Sequence, residues 1–160
     1  VAKAMGHEEI VISAGRVSEK AHIRKYRLPE ESYVMMGDYL EFSFLEAEKR
    51  RFRKVHLCAQ WAKMLKIAMA TPHTHVRHGA IDITKATALL RSLGAELPQK
   101  PEFNTAREIF DLLLKNSGSA ASIFRKVCSA AQSYVGRITP EVPVTVHLVS
   151  YEGDILAAGE

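Results

Sequence analysis

Residues 31–78 read ESYVMMGDYLEFSFLEAEKRRFRKVHLCAQWAKMLKIAMATPHTHVRH, and the alternation of short apolar runs with helical ones in this stretch decides the fold. Ser32-Tyr-Val-Met-Met36 is a short apolar run closed by Gly37, the pattern of a buried strand. Asp38 to Phe52 carries Leu40, Phe44, Leu45 and Ala47 on one helical face. Lys54-Val-His-Leu-Cys-Ala59 reads as a further strand, and Trp61 to Ala70 as a helix that Pro72 ends. Strands and helices in this order bring helix starts and strand ends to one edge of a sheet. At that edge α/β proteins gather phosphates, nucleosides and other small anions.

The flanking sequence extends the pattern. Glu9-Ile-Val-Ile-Ser13 is a β-branched run broken by Ala14-Gly15, and Ser18 to Arg27 is helix-compatible up to Leu28-Pro29. Beyond the quoted stretch, Asp82 caps a helix through Leu93 that Gly94 stops, and Thr105-Ala-Arg-Glu108 opens another to about Lys115. Asn116 to Ser119 reads as a loop, Ala120 to Val135 as a longer helix, and Pro143 to Val149 as a closing strand. Tyr151-Glu-Gly-Asp154 then predicts a hairpin with Ile155 to Ala158. The expected fold is α/β and three-layer, with a mainly parallel, Rossmann-like sheet and additional helices in the second half. Residues 1–160 form one expected domain, in which the helical run 82–135 is an inserted layer or small subdomain.

Composition bounds the function class. The 160 residues are 47% hydrophobic and 25% charged, an ordinary globular balance. A net charge of +4 suits a polyanionic small molecule and is too mild to imply nucleic acid. Cys58 and Cys128 sit in apolar segments, as reduced, buried thiols of a cytoplasmic protein do. The chain opens on Val1, which reads as the later part of a longer polypeptide, or as a processed one.

Three strand ends should meet: Ser13-Ala14-Gly15, Met36-Gly37-Asp38 and Cys58-Ala59-Gln60. Asp38 fits a carboxylate that accepts hydrogen bonds from the two hydroxyls of a ribose. With Glu41 three residues on, it also fits a helix N-cap and capping box. Gly15 and Gly37 leave room for a ligand to approach the backbone. Lys63 and Lys66, three apart, share a helix face that suits a substrate with several carboxylates; the alternative is a solvated polar face.

His73, His75, His78 and Arg77 follow directly. Histidine is a common metal ligand, but no cysteine or carboxylate has matching spacing, so no structural metal is expected. A loop turning cationic side chains toward an anionic ligand is the better reading, with His75 able to exchange protons near neutral pH. Lys49-Arg-Arg-Phe-Arg-Lys54 spans a helix end and the next strand's start, where cations complement the helix dipole. No Gly-x-Gly-x-x-Gly loop and no Ser-His-Asp order occurs, so the residues alone stop at an α/β domain with a cationic ligand edge.

Ala4-Met-Gly-His-Glu-Glu-Ile-Val-Ile12, Gly37 to Ala47, Phe52 to Leu57, the Lys63-x-x-Lys66 pair and Thr74-His75 together resemble the CbiD family, the cobalt-precorrin-5B C1-methyltransferases of anaerobic cobalamin biosynthesis. The chain departs from that pattern at Ala59-Gln60-Trp61-Ala62, at Asp38 and Glu41, and at Ala14-Gly15-Arg16. The resemblance implies methyl transfer from S-adenosylmethionine to ring carbon C1 of a cobalt-precorrin. It implies Gly15, Gly37 and Asp38 on the cofactor, Lys63, Lys66 and Thr74 on the tetrapyrrole carboxylates, and His75 as the proton acceptor. It also implies that this chain is the C-terminal portion of its protein, partnered by an N-terminal part; a homo-oligomer is compatible, and no nucleic acid or membrane is expected. The other function class compatible with the edge is a non-catalytic module that binds a nucleotide or anionic metabolite.

Overall fold

The computed structural model describes residues 1–71, 73, 79–99 and 102–159, and of Ser117 the backbone. Strands β1 (Glu9–Ser13), β2 (Tyr33–Met35), β3 (Lys54–Gln60), β4 (Val144–Val149) and β5 (Ile155–Gly159) form one sheet in the order β2-β1-β3-β4-β5. The first four are parallel and β5 is antiparallel to β4, so the hairpin after Tyr151 forms as its Gly-Asp turn predicts. Helices α1 (Arg16–Tyr26), α2 (Leu40–Lys49), α3 (Trp61–Ala68), α4 (Ile83–Ser92), α5 (Ala106–Lys115) and α6 (Ser117–Ile138) connect them. Among the described residues no helix is long and apolar enough to cross a membrane.

The strand order is that of a doubly wound, flavodoxin-type sheet. The chain leaves β1 for β2 on one side, then returns across β1 to β3, which creates a topological switch point between β1 and β3. The strand ends meet there as the sequence predicts. The Ala14 amide donates to the Cys58 carbonyl at 2.8 Å, and the Met36 amide to the Ser13 carbonyl at 3.0 Å.

The two faces of the sheet differ in chemistry. Strand alternation puts Ile10, Ile12, Val55, Leu57, Val146 and Leu148 on one face, all buried in a single apolar core. Helix α6 lies against β4 and β5 on that face and packs on α2, α3 and α5. Trp61 anchors the layer: it is fully buried, packs with Phe110 and Phe124, and donates its indole N–H to the Ala106 carbonyl at 2.9 Å. The other face carries Val11, Ser13, His56, Cys58 and His147 beneath α1. It is buried and polar.

Both later caps form. Asp82 accepts from the Lys85 amide, and Thr105 from the Glu108 amide while Glu108 reaches back to the Asn104 amide. Three expectations are corrected. Strand β2 is an edge strand with Val34 and Met35 exposed, not a buried one. The loop expected at Asn116 to Ser119 is the first turn of α6, with Asn116 serving as the C-cap of α5 and the N-cap of α6. Asp38 is not a helix cap, because α2 starts at Leu40 and Tyr39 occupies the capping position without a side-chain bond. The capping box with Glu41 therefore does not form; Glu41 instead accepts from the Tyr134 hydroxyl at 3.1 Å.

Candidate functional site

The site is built at the carboxyl ends of β1, β2 and β3. Helix α3 begins without any loop, since Gln60 is both the last residue of β3 and the cap of α3. Gln60 is held by a hydrogen bond from its amide nitrogen to the Ser150 carbonyl at 3.1 Å. This abrupt turn swings the first turn of α3 over the end of β1, where the Lys63 ammonium donates to the Ala14 carbonyl. A Cβ on Gly15 would lie 3.6 Å from the Lys63 nitrogen, an ordinary van der Waals contact. Gly15 has extended backbone and its carbonyl accepts from the Ser18 hydroxyl at 2.7 Å and the Glu19 amide at 3.0 Å, fastening the start of α1.

Asp38 enters from the end of β2. Gly37 before it has φ +58, a left-handed conformation natural to glycine, with open space where a side chain would stand. The Asp38 side chain is almost completely buried, 4% exposed, and its Oδ2 lies 3.6 Å from His73 Nδ1. A carboxylate so enclosed needs compensating charge. The nearby lysine supplies it: burial pulls the Lys63 ammonium below its usual range, Asp38 works against that fall, and Lys66 adds to it.

Lys66 corrects the solvated-face alternative, because it is only 7% exposed. Its ammonium donates to the Gly79 carbonyl at 2.9 Å, which ties α3 to the chain ahead of α4. The structure thus brings Gly15, Asp38, Lys63 and Lys66 to one edge. Thr74 and His75, with His78 and Arg77, lie outside the described residues. The described residues that flank them, His73 and Gly79, touch Asp38 and Lys66 respectively.

An apolar cleft of about 400 Å³ borders the edge, lined by Met35, Met36, Tyr39 and Phe42 among others. A larger one of about 600 Å³ lies between the N-terminus, β2 and α2, away from the strand ends. At the opposite end, Lys49 and Arg50 of the basic run are both paired to Glu46. Cys58 and Cys128 are buried and unbridged, and burial pushes both thiols up, Cys128 to about 12.

Sequence reasoning missed one cluster. His22 on α1, His56 on β3 and His147 on β4 meet beneath α1, all buried. The available signal was a histidine inside each of two apolar strand runs, Lys54 to Gln60 and Val144 to Val149; the register makes them diagonal neighbours on one face, with His56 opposite Thr145 and His147 opposite Cys58.

Comparison with known proteins fits this geometry. A family model described as "CbiD, C-terminal domain" matches residues 73–160. A cobalt-precorrin-5B C(1)-methyltransferase of Desulfotalea psychrophila is 40% identical over 159 residues, covering 98% of this chain and 43% of its own. Proteins of the same name from Geobacter metallireducens and Priestia megaterium are 34% and 29% identical, covering 99% and 98% of this chain and 46% and 43% of their own. The chain therefore spans a little under half the length of these relatives. No solved structure gives a significant match. Because the family match covers more than half its length, this chain belongs to the CbiD family.

Proposed function

We propose that this chain is the C-terminal portion of an S-adenosylmethionine-dependent methyltransferase acting on carbon C1 of cobalt-precorrin-5B, completed by an N-terminal part of the same polypeptide. The observation that carries the reading is the convergence of Gly15, Asp38 and Lys63 at the switch point of a doubly wound sheet. The relatives' name supplies the acceptor class.

The cofactor, when bound, supplies an electrophilic methyl on a sulfonium, and the sulfur keeps the electron pair of the broken bond as the ring carbon forms its new one. The chain's own residues bind and align. Gly15 and Gly37 keep the backbone accessible, and Asp38 is the proposed acceptor for ribose hydroxyls. The Met35, Met36 and Tyr39 surface beside it is apolar enough for a purine ring. On the acceptor side, Lys63 stands at the rim and Lys66 beneath it, a pair of ammonium groups that favours carboxylate side arms. Thr74 is the proposed further contact and His75 the proposed proton acceptor.

The test is methyl transfer by the full-length protein, followed by mass spectrometry of the tetrapyrrole. A gain of one methyl group is expected, with Lys63→Met raising KM for the tetrapyrrole about tenfold, as loss of one charge-assisted bond predicts. His75→Ala should lower kcat on the order of 10²-fold. Unchanged turnover in His75→Ala would remove that residue from the chemistry, and no methylated product from the wild type would sink the reading.

A further inference from the structure

We propose that His22, His56 and His147 form a binding site for a transition-metal ion of the zinc class, beneath α1 and separate from the strand-end site. The three rings come from three elements and form a nearly equilateral triangle. Their centroids lie 5.0 Å (His22–His56), 5.0 Å (His22–His147) and 5.3 Å (His56–His147) apart. Three imidazoles on one tetrahedral ion, each with a metal–nitrogen bond of about 2.0–2.1 Å, have ring centres roughly 5 Å apart. One nitrogen from each ring already lies within 4.8 Å of the other two, and His56 Nδ1 is 3.0 Å from His147 Nε2. Small rotations of the rings close the remaining gap to the roughly 3.3 Å spacing of ligands on one ion.

The surroundings are those of a ligand set. The Tyr33 hydroxyl is 3.1 Å from His22 Nδ1, and Glu9 Oε2 is 2.9 Å from His56 Nε2. Each outer contact fixes a ring and leaves the opposite nitrogen, His22 Nε2 and His56 Nδ1, for the interior. A carboxylate behind a ligating histidine is the usual outer-shell support of such centres. His22 Nε2 and His147 Nδ1 are buried polar atoms with no hydrogen-bond partner. Leaving a buried polar atom unsatisfied costs about 1–3 kcal/mol, and coordination relieves that cost at whichever nitrogen binds the ion.

Each neutral imidazole carries one lone pair for an ion, at one nitrogen or the other according to its tautomer. Lys25 and Lys54 oppose a cation here, while Glu9 attracts it. An all-imidazole set with hindrance from two ammonium groups selects zinc, nickel, copper or cobalt and excludes magnesium and calcium, which need oxygen ligands. The exposed Tyr26 ring lies over His22 and His147 at 4.4 and 5.2 Å, so an ion enters past a surface side chain. Nothing in this inference depends on the methyltransferase reading.

The experiment strips the full-length protein with a chelator and titrates it with Co²⁺, then with Zn²⁺ in competition. The expected result is one equivalent bound with the visible absorption of tetrahedral cobalt, displaced by zinc. Binding should weaken at least tenfold in His56→Gln and His147→Gln and persist in a His73→Ala, His75→Ala, His78→Ala triple variant. X-ray absorption of the zinc-loaded wild type should show imidazole nitrogen in the first shell, a readout that survives any folding defect in the variants. No binding to the wild type, a shell without imidazole nitrogen, or binding lost in the loop triple variant but kept in the trio variants would overturn the proposal.

Discussion

Lys63 shows how one side chain is conditioned by the edge it occupies. Its ammonium is half-buried, bonded to the Ala14 carbonyl and flanked by Asp38 and Lys66. Burial and Lys66 push its proton affinity down, and Asp38 holds it up. Replacing Asp38 by Asn removes an influence that favours the charge, so the Lys63 pKa should fall further below the normal lysine value. Side-chain ¹⁵N NMR of the lysine ammonium groups, titrated from pH 7 to 11, reads this directly; an unchanged or raised Lys63 value in Asp38→Asn would separate the two groups. Asp38 and Lys63 were legible in sequence because strand-end positions follow from short apolar runs. That Lys66 is buried was not, since spacing tells which face two lysines share and not what covers it.

At the scale of elements, the layer beneath α1 sets the acid sensitivity of the domain. His22 and His147 stay neutral down to about 4 and about 3 in the folded chain, whereas an unfolded histidine takes up its proton near 6.5. Groups facing the trio are Glu9 and Val11 from β1, Tyr33 from β2, Lys54 and Cys58 from β3, and Lys25 and Tyr26 from α1. Below pH 6.5 the unfolded state binds more protons, so stability of the metal-free protein falls with falling pH, by up to about 1.4 kcal/mol per pH unit for each histidine. The fall ends below about 3. Urea unfolding at pH 7 and pH 5 should show this loss, and His147→Phe should reduce it; equal stability at both pH values would contradict the buried, neutral trio. The trio escaped the sequence because its members sit 34 and 91 residues apart, and only the pairing of β3 with β4 and the packing of α1 on that face bring them together.

Element boundaries were legible at some caps and apolar runs and not at others, since the Asp38 cap expected for α2 does not form. Strand β1 and helix α5 fall where Glu9 to Ser13 and Thr105 to Lys115 place them. The Asn116-Ser-Gly-Ser119 stretch misleads because serine and glycine weaken a helix interior yet cost little in a first turn, where amides lack helical partners anyway. Packing of α6 against the sheet and three helices then carries the helix through.

For the molecule as a whole, the sheet separates two kinds of chemistry. Its strand ends carry a buried carboxylate beside two lysines, and its α1 face carries histidines, while the opposite face supplies the apolar core. Topology was legible in outline, since alternating strands and helices dictate a parallel sheet, but the switch point between β1 and β3 is set by tertiary packing and not by local pattern. The proposed function requires that this strand-end edge bind the methyl donor. Calorimetric titration of S-adenosylhomocysteine into the full-length protein and its Asp38→Asn variant tests this. One site per chain is expected in the wild type and about tenfold weaker binding in the variant, roughly 1.4 kcal/mol, with folding unchanged. No binding to the wild type, or equal affinity in both proteins, would contradict it.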